Sequence, residues 1–248
     1  MSGPAAVPAL VEARGVVKRF GGLTAVHRLD LTLWKGEILG LIGPNGAGKT
    51  TLFNLLSGQL APDSGKILLE GREIHHLPSH RICRLGLART FQVPRPFLAM
   101  TVFESILVGA QFGRRVSGTS APETADRCVA LTRLEPRRNA PVHSLNLAER
   151  KRLDLARALA TRPRVLLVDE VAAGLNPTEV RETVGILREV HAAGIGIIYV
   201  EHVMEAVMDI SHRVHVLDHG ATIAIGTPAE VTRDPAVIEA YLGRSAGS

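Results

Sequence analysis

Aromatic residues are scarce in this chain: Phe, Trp and Tyr make up 4% of its 248 residues. Its core must therefore be built mainly of Leu, Val, Ile and Ala. Cysteine is almost as sparse, with Cys83 and Cys128 far apart. Two cysteines cannot form the disulfide lattice of a small secreted domain, so a reducing compartment is the expectation. No apolar run approaches the roughly 18 residues that a membrane-spanning helix needs. The opening MSGPAAVPALVEARG lacks the basic and apolar regions of a secretory leader, and its first nine residues read as a loose tail. Any membrane role must then pass through a partner. Internal repeats and coiled-coil heptads are also missing.

What is present is an ordinary globular mixture, 46% hydrophobic and 21% charged, long enough to bury a sizeable core. The formal charge of +5 suits phosphorylated ligands, nucleic acid or an anionic surface, and selects none of them. Alternation over Leu29–Leu33 predicts a strand exposed on one face. Glu37–Ile42 reads as a buried strand leading through a Gly-rich turn into a helix over Lys49–Ser57. Lys66–Leu69, Val165–Val168, Ile195–Val200 and Val214–Leu217 are further strands. From Pro94 to about Ala160 the periodicity is helical, broken by a Gly/Ser-rich linker over Gly113–Pro122. One helix opens after Asn176-Pro177, and a last one starts near Pro235. Strands alternating with helices predict a mostly parallel α/β sheet carrying a helical insertion.

The strongest chemical signal is GPNGAGKT: Gly43, Pro44, Asn45, Gly46, Ala47, Gly48, Lys49 and Thr50, with Thr51 following. Set between strand and helix, it fits a phosphate-binding loop. Glycines let the backbone wrap an anion, and amide N–H groups at a helix N-terminus face it. Lys49 would reach the β- and γ-phosphates, and Thr50 would ligate Mg²⁺. The chain is thus expected to bind a nucleoside triphosphate. A second signal is Asp169-Glu170, at the end of the apolar run Val165–Val168, where α/β sheets present their ligands. Asp169 suits the Mg²⁺-holding aspartate of such enzymes, and Glu170 the general base that polarises the attacking water.

Together with five further features in order, these motifs make the chain resemble an ATP-binding cassette (ABC) ATPase over nearly its whole length. Phe20 stands where that family stacks an aromatic on adenine. Gln92, in Arg89-Thr90-Phe91-Gln92, matches the glutamine that contacts Mg²⁺, the attacking water and the membrane subunit. Leu145-Asn146-Leu147-Ala148-Glu149 occupies the signature position, Gly174, Leu175 and Asn176 match the D-loop, and His202 matches the switch histidine of the γ-phosphate. The resemblance implies a P-loop NTPase (RecA-like) core with an antiparallel β subdomain. The whole chain, residues 1–248, would be one ABC ATPase domain, with core segments 1–92 and 161–248 and a helical subdomain over 93–160.

TLFNLLSG, HRICRLGLARTFQ, AGLNPTE and the ending Ile225-Gly226-Thr227-Pro228 with Ile238–Gly243 look like one subfamily. It is the ATP-binding subunit of importers for branched-chain or related amino acids, amides or urea. Asn176, where most ABC ATPases carry Asp, is typical of that group. The ATPase of another ABC system, a lipid exporter or a non-transport protein, is the alternative. The resemblance implies ATP and Mg²⁺ as cofactors and a homo- or heterodimer that holds each ATP between one subunit's P-loop and the other's signature. It also implies transmembrane permease subunits docked near Gln92 and Val93–Val108, with Arg95, Pro96 and Phe97 as contacts. A periplasmic or extracellular binding protein would act indirectly, and the chain itself would sit on the cytoplasmic face of the membrane.

The usual signature reads Leu-Ser-Gly-Gly-Gln, so Ala148 departs from it. Asn146 and Glu149 preserve a capping box, but if position 148 requires φ > 0 an alanine there is strained by roughly 1–2 kcal/mol. A weakened signature is the expectation. Val171, where many relatives have Pro, is a second departure. His75, His76, His80 and Cys83 fit no standard metal spacing. Arg137-Arg138 and Arg150-Lys151-Arg152 lack aromatic interleaving and read as solvated helix faces rather than nucleic-acid contacts.

Overall fold

The computed structural model describes residues 8–91 and 97–242. The buried Glu37–Ile42 run forms the central strand of a six-stranded sheet. That sheet has the order β10-β9-β3-β8-β7-β6, from β3 (Ile38–Ile42), β6 (Leu87–Arg89), β7 (Val165–Asp169), β8 (Gly196–Val200), β9 (Arg213–Asp218) and β10 (Ala221–Gly226). Strands β9, β3, β8, β7 and β6 run parallel, and β10 returns antiparallel along the edge. Every residue of β3, β7 and β8 is buried, because the sheet is covered on both faces.

A second, antiparallel sheet has the order β2-β1-β4-β5, from β1 (Ala9–Phe20), β2 (Leu23–Trp34), β4 (Ser64–Leu69) and β5 (Arg72–Glu73). In β2, Leu29, Leu31 and Leu33 point inward while Asp30 faces solvent, as the alternation required. The apolar side of this sheet closes over helix α1 (Lys49–Leu56), where Phe53 and Leu56 are fully buried. Ala9 belongs to β1, so the loose tail expected over the first nine residues does not extend that far; residues 1–7 lie outside the described part.

Helix α2 (Ser79–Leu85) precedes β6. The middle of the chain forms α3 (Val102–Phe112), α4 (Ala121–Leu131) and α5 (Leu147–Ala160), with short 3₁₀ turns at Glu135–Arg137 and Val142–Ser144. The linker expected to reach Pro122 ends earlier. Ser120 accepts from the Glu123 N–H and caps α4, and Pro122 fits the first turn, where no backbone donor is needed. These helices share one apolar cluster with α6 (Pro177–Ala192), α7 (Met204–Ile210) and the far face of the six-stranded sheet. Helices α8 (Pro228–Val231) and α9 (Pro235–Leu242) complete the fold.

Candidate functional site

At the end of β3 the chain turns through Gly43, whose φ is 152°, and a side chain there would be driven into the Leu217 carbonyl. Gly48, at φ 100°, caps α1 in a left-handed conformation, and a Cβ there would lie 2.5 Å from the Ala25 carbonyl. Both positions therefore require glycine. The loop they frame borders a cleft of about 630 Å³. Phe20, Asn45, Gly46, Ala47, Gly48, Lys49, Thr50, Thr51, Glu170 and His202 all line that cleft.

Lys49 is buried, and its Nζ donates to the carbonyls of Gly43 (2.5 Å) and Pro44 (3.0 Å). Burial holds this ammonium below its ordinary pKa, and the negative charges of Glu170 and Asp169 offset part of that effect. Thr50 and Phe20 are exposed at the cleft, and the Lys18 ammonium lies 5.6 Å from the Phe20 ring centroid.

Asp169 is nearly inaccessible at the end of β7. Its carboxylate accepts from Arg89 at 2.7 Å, and its N–H donates to the Thr90 hydroxyl at 3.0 Å. Burial pushes its carboxyl pKa up, against the pull of the Arg89 guanidinium. Arg89 also donates to Asn54 of α1 at 2.5 Å, so one side chain ties the P-loop helix to the acidic strand end.

The next residue, Glu170, has φ 48°, a left-handed backbone that an L side chain adopts only under constraint. Its Oε1 lies 2.7 Å from His202 Nε2, so the two residues expected at the γ-phosphate are in hydrogen-bond contact. Two further groups brace them. Glu201, at 2% exposure, accepts from the Ala172 N–H (2.5 Å) and the His202 N–H (3.1 Å). Lys151 donates to the Glu170 carbonyl at 2.8 Å. Lys151 thus corrects the sequence expectation: placed in a basic cluster read as solvated, it is buried at 7% exposure.

The signature and D-loop residues do not line this cleft; they lie together elsewhere. Asn146 caps α5 by accepting from the Glu149 N–H (2.8 Å), and Glu149 accepts from the Asn146 N–H (2.9 Å), as the capping box predicts. Leu147 opens the helix at 48% exposure, and its side chain approaches Gly174 of the D-loop. Asn176 caps α6 in the same manner, accepting from Thr178 and Glu179, while Leu175 stands just before it. Ala148 is helical and absent from the positive-φ residues. The strain expected there is not present, because the helix begins before residue 148 and gives it an ordinary right-handed conformation.

Gln92, Arg95 and Pro96 lie outside the described residues. Phe97 is described, with Arg157 stacked 4.6 Å from its ring centroid. Beside it a second cleft of about 470 Å³ runs between α2, β6 and the helices α3 and α5, with Phe91, Phe112, Asp154 and Arg157 in its walls. The remaining basic clusters are locally engaged: Arg137 with Glu149, Arg138 with Asp126, and Arg152 with Glu182. No group of His, Cys, Asp and Glu among the described residues is arranged to hold a metal ion by itself.

Arg89 and Glu201 had been given no role in the sequence reading, and Lys151 only that of a solvated residue. Each acts on a residue distant along the chain, and a charged residue in a short basic or apolar run carries no mark of that partnership.

Comparison with known proteins agrees with this geometry. The ABC transporter family profile matches residues 26–173, and the profile described as branched-chain amino acid ATP-binding cassette transporter matches residues 221–247. The high-affinity branched-chain amino acid transport ATP-binding protein LivG of Escherichia coli K12 is 40% identical, over 95% of this chain and 98% of its own. BraF of Pseudomonas aeruginosa, which carries the same description, is 38% identical over the same shares. The lipopolysaccharide export system ATP-binding protein LptB of Acidithiobacillus ferridurans is 35% identical, over 94% of this chain and 97% of its own. Among solved structures, a nucleotide-free ABC transporter cassette superposes with a TM-score of 0.85 at 27% identity, covering 94% of this chain and 98% of that one. A cassette in its ADP conformation superposes with a TM-score of 0.84 at 27% identity, covering 95% and 99%. With the Gly-rich loop, Glu170 and His202 lining one cleft, the chain belongs to the ABC transporter family and is one of its nucleotide-binding ATPases.

Proposed function

We propose that this chain is the ATP-hydrolysing subunit of an importer for branched-chain or closely related amino acids. The observation that carries the catalytic part is the convergence of Lys49, Thr50, Glu170 and His202 on one cleft, with Glu170 and His202 2.7 Å apart. In this reading Gly43–Gly48 wrap the phosphates, Lys49 neutralises their charge and Phe20 stacks on the base. Glu170 takes a proton from the attacking water, and His202 orients it while donating to the γ-phosphate.

Mg²⁺ fits the oxygen donors available. Thr50 supplies a hydroxyl and Asp169 a carboxylate, the hard, sparse set that Mg²⁺ shares with phosphates and water. Gln92 completes this set in the proposal. When bound, the ion neutralises charge on the β- and γ-phosphates.

The substrate class rests on the relatives named for branched-chain amino acid transport and on the match of residues 221–247 to the corresponding C-terminal profile. The likeness to LptB covers the cassette at lower identity. Residues 93–160 serve as a helical subdomain set into core segments 1–92 and 161–248. In this reading the cleft at Phe91, Phe112 and Arg157 receives the permease, and the chain works at the cytoplasmic face of the membrane. No described helix is long and apolar enough to cross a membrane itself.

Loss of this chain should abolish ATP-dependent uptake of labelled leucine, isoleucine and valine by the cells that make it. The parent sequence should restore uptake and Glu170→Gln should not. Undiminished uptake without the chain would sink the substrate class. Purified Glu170→Gln should bind ATP while releasing phosphate at least 100-fold more slowly, the scale of a lost general base.

A further inference from the structure

We infer that Lys151 is a positioning residue for ATP hydrolysis: from the signature helix α5 it clamps the Glu170 carbonyl, holding that residue in the strained backbone conformation that aims its carboxylate at His202. The inference rests on the assignment of Glu170 as the general base.

The geometry carries it in three steps. First, Glu170 has φ 48°, a region that costs an L-residue roughly 1–2 kcal/mol and persists only when its surroundings enforce it. Second, the enforcement is visible around its peptide groups. The Glu170 N–H donates to the Val200 carbonyl at 2.9 Å, and its own carbonyl accepts from Lys151 Nζ at 2.8 Å and from the Ala173 N–H at 3.4 Å. Of these contacts, only Lys151 brings a charge and comes from the helical segment. A charge-assisted bond to a buried carbonyl is stronger than a neutral one. Third, the lysine lies in a closed surrounding of complementary charge. Glu201 is the principal negative charge near it, followed by Glu170 itself, and Glu201 fixes the Ala172 and His202 amides. One buried cation and one buried anion thus bracket the Glu170–His202 pair from behind, outside the cleft that receives nucleotide.

Such burial costs free energy, since an ammonium at 7% exposure has lost most of its water. A purely structural helix would be served as well by an apolar side chain of the same length. Lys151 also stands one turn inside the helix whose start, at Asn146 and Leu147, is offered outward. Any tilt of α5 therefore reaches the catalytic peptide directly.

The test compares full-length parent, Lys151→Met, Lys151→Arg and Glu170→Gln, measuring phosphate release against ATP concentration and equilibrium ATP binding. Lys151→Met keeps the volume and removes the donor. It should lower kcat at least fivefold, with KM and the Kd for ATP within threefold of the parent. Lys151→Arg should recover activity to within threefold, because it restores a charged donor. A kcat lowered by less than fivefold overturns the inference, as does a loss of ATP binding that parallels the loss of turnover. Should the methionine variant fail to fold, Lys151→Gln, whose amide stops short of the carbonyl, carries the same thresholds. If Glu170→Gln is inactive while Lys151→Met matches the parent, the positioning role alone fails. If Glu170→Gln turns over like the parent, the base assignment fails and takes the positioning role with it.

Discussion

His215 is a titratable residue buried in the middle of an otherwise largely apolar strand. It lies in β9 at 2% exposure, with Nε2 2.7 Å from the Thr222 hydroxyl. Burial, helped by the charge of Arg213, pushes its pKa from 6.5 down to about 4. An unfolded chain takes up this proton near pH 6.5, whereas the folded chain resists it until about pH 4. The contribution is therefore intact above pH 6.5 and lost as pH falls toward 4, amounting to about 3 kcal/mol at most. His215→Gln retains a partner for Thr222 but does not titrate. Chemical denaturation from pH 7 to 4.5 should show a shallower loss of stability in this variant. Equal slopes for parent and variant would show that other groups govern acid sensitivity.

At the scale of elements, the start of α5 was legible because Asn146 and Glu149, three residues apart, spell a capping box. Asn146 with Glu149 and Asn176 with Glu179 both close as the spacing requires. Either Asn or Asp can serve at position 176, since each side chain accepts from the N2 and N3 amides. Asn176→Ala should lower stability by about 1 kcal/mol, whereas Asn176→Asp should leave it nearly unchanged, read from urea denaturation midpoints. Ala148 is argued at the same scale. It occupies the first turn of α5 with right-handed backbone, so a glycine relieves nothing there. Ala148→Gly should cost about 0.5–1 kcal/mol of stability and bring no gain in phosphate release. A rise in hydrolysis would mean that close approach of the nucleotide, rather than local strain, sets the demand at this position.

Other elements left weaker traces. Strand β1 was not anticipated because its register against β2 shifts repeatedly between Ala9 and Arg19, which scrambles the two-residue alternation. Strand β6 has only three residues, too few for any period, and β10 alternates between intermediate and exposed positions at the sheet edge. The P-loop was readable from its glycines and Asp169-Glu170 from its place at the end of a buried apolar run, whereas His202 was readable only through the family resemblance. The braces behind them were not, since Arg89 meets Asp169 across 80 residues and Glu201 meets Ala172 across 29. Such pairings exist only once β6, β7 and β8 lie side by side.

Taken as a whole molecule, the chain keeps the start of α5 apart from its own P-loop cleft. Its P-loop cleft contains none of the residues Asn146–Glu149. The start of α5, with the positive end of its dipole, lies beside the exposed Leu147. Under the proposed function, an anionic γ-phosphate held by a second copy's P-loop would meet that helix end, and ATP would join two copies head to tail. Slow hydrolysis should prolong the dimer's life. Glu170→Gln mixed with ATP should therefore double its mass by light scattering, while the same protein with ADP should remain monomeric, because ADP lacks the phosphate that the opposing helix would meet. Adding Leu147→Glu places a carboxylate against that phosphate. This double variant should still bind ATP as a monomer but fail to pair, and persistence of its dimer would show that the contact between copies is made by some other surface.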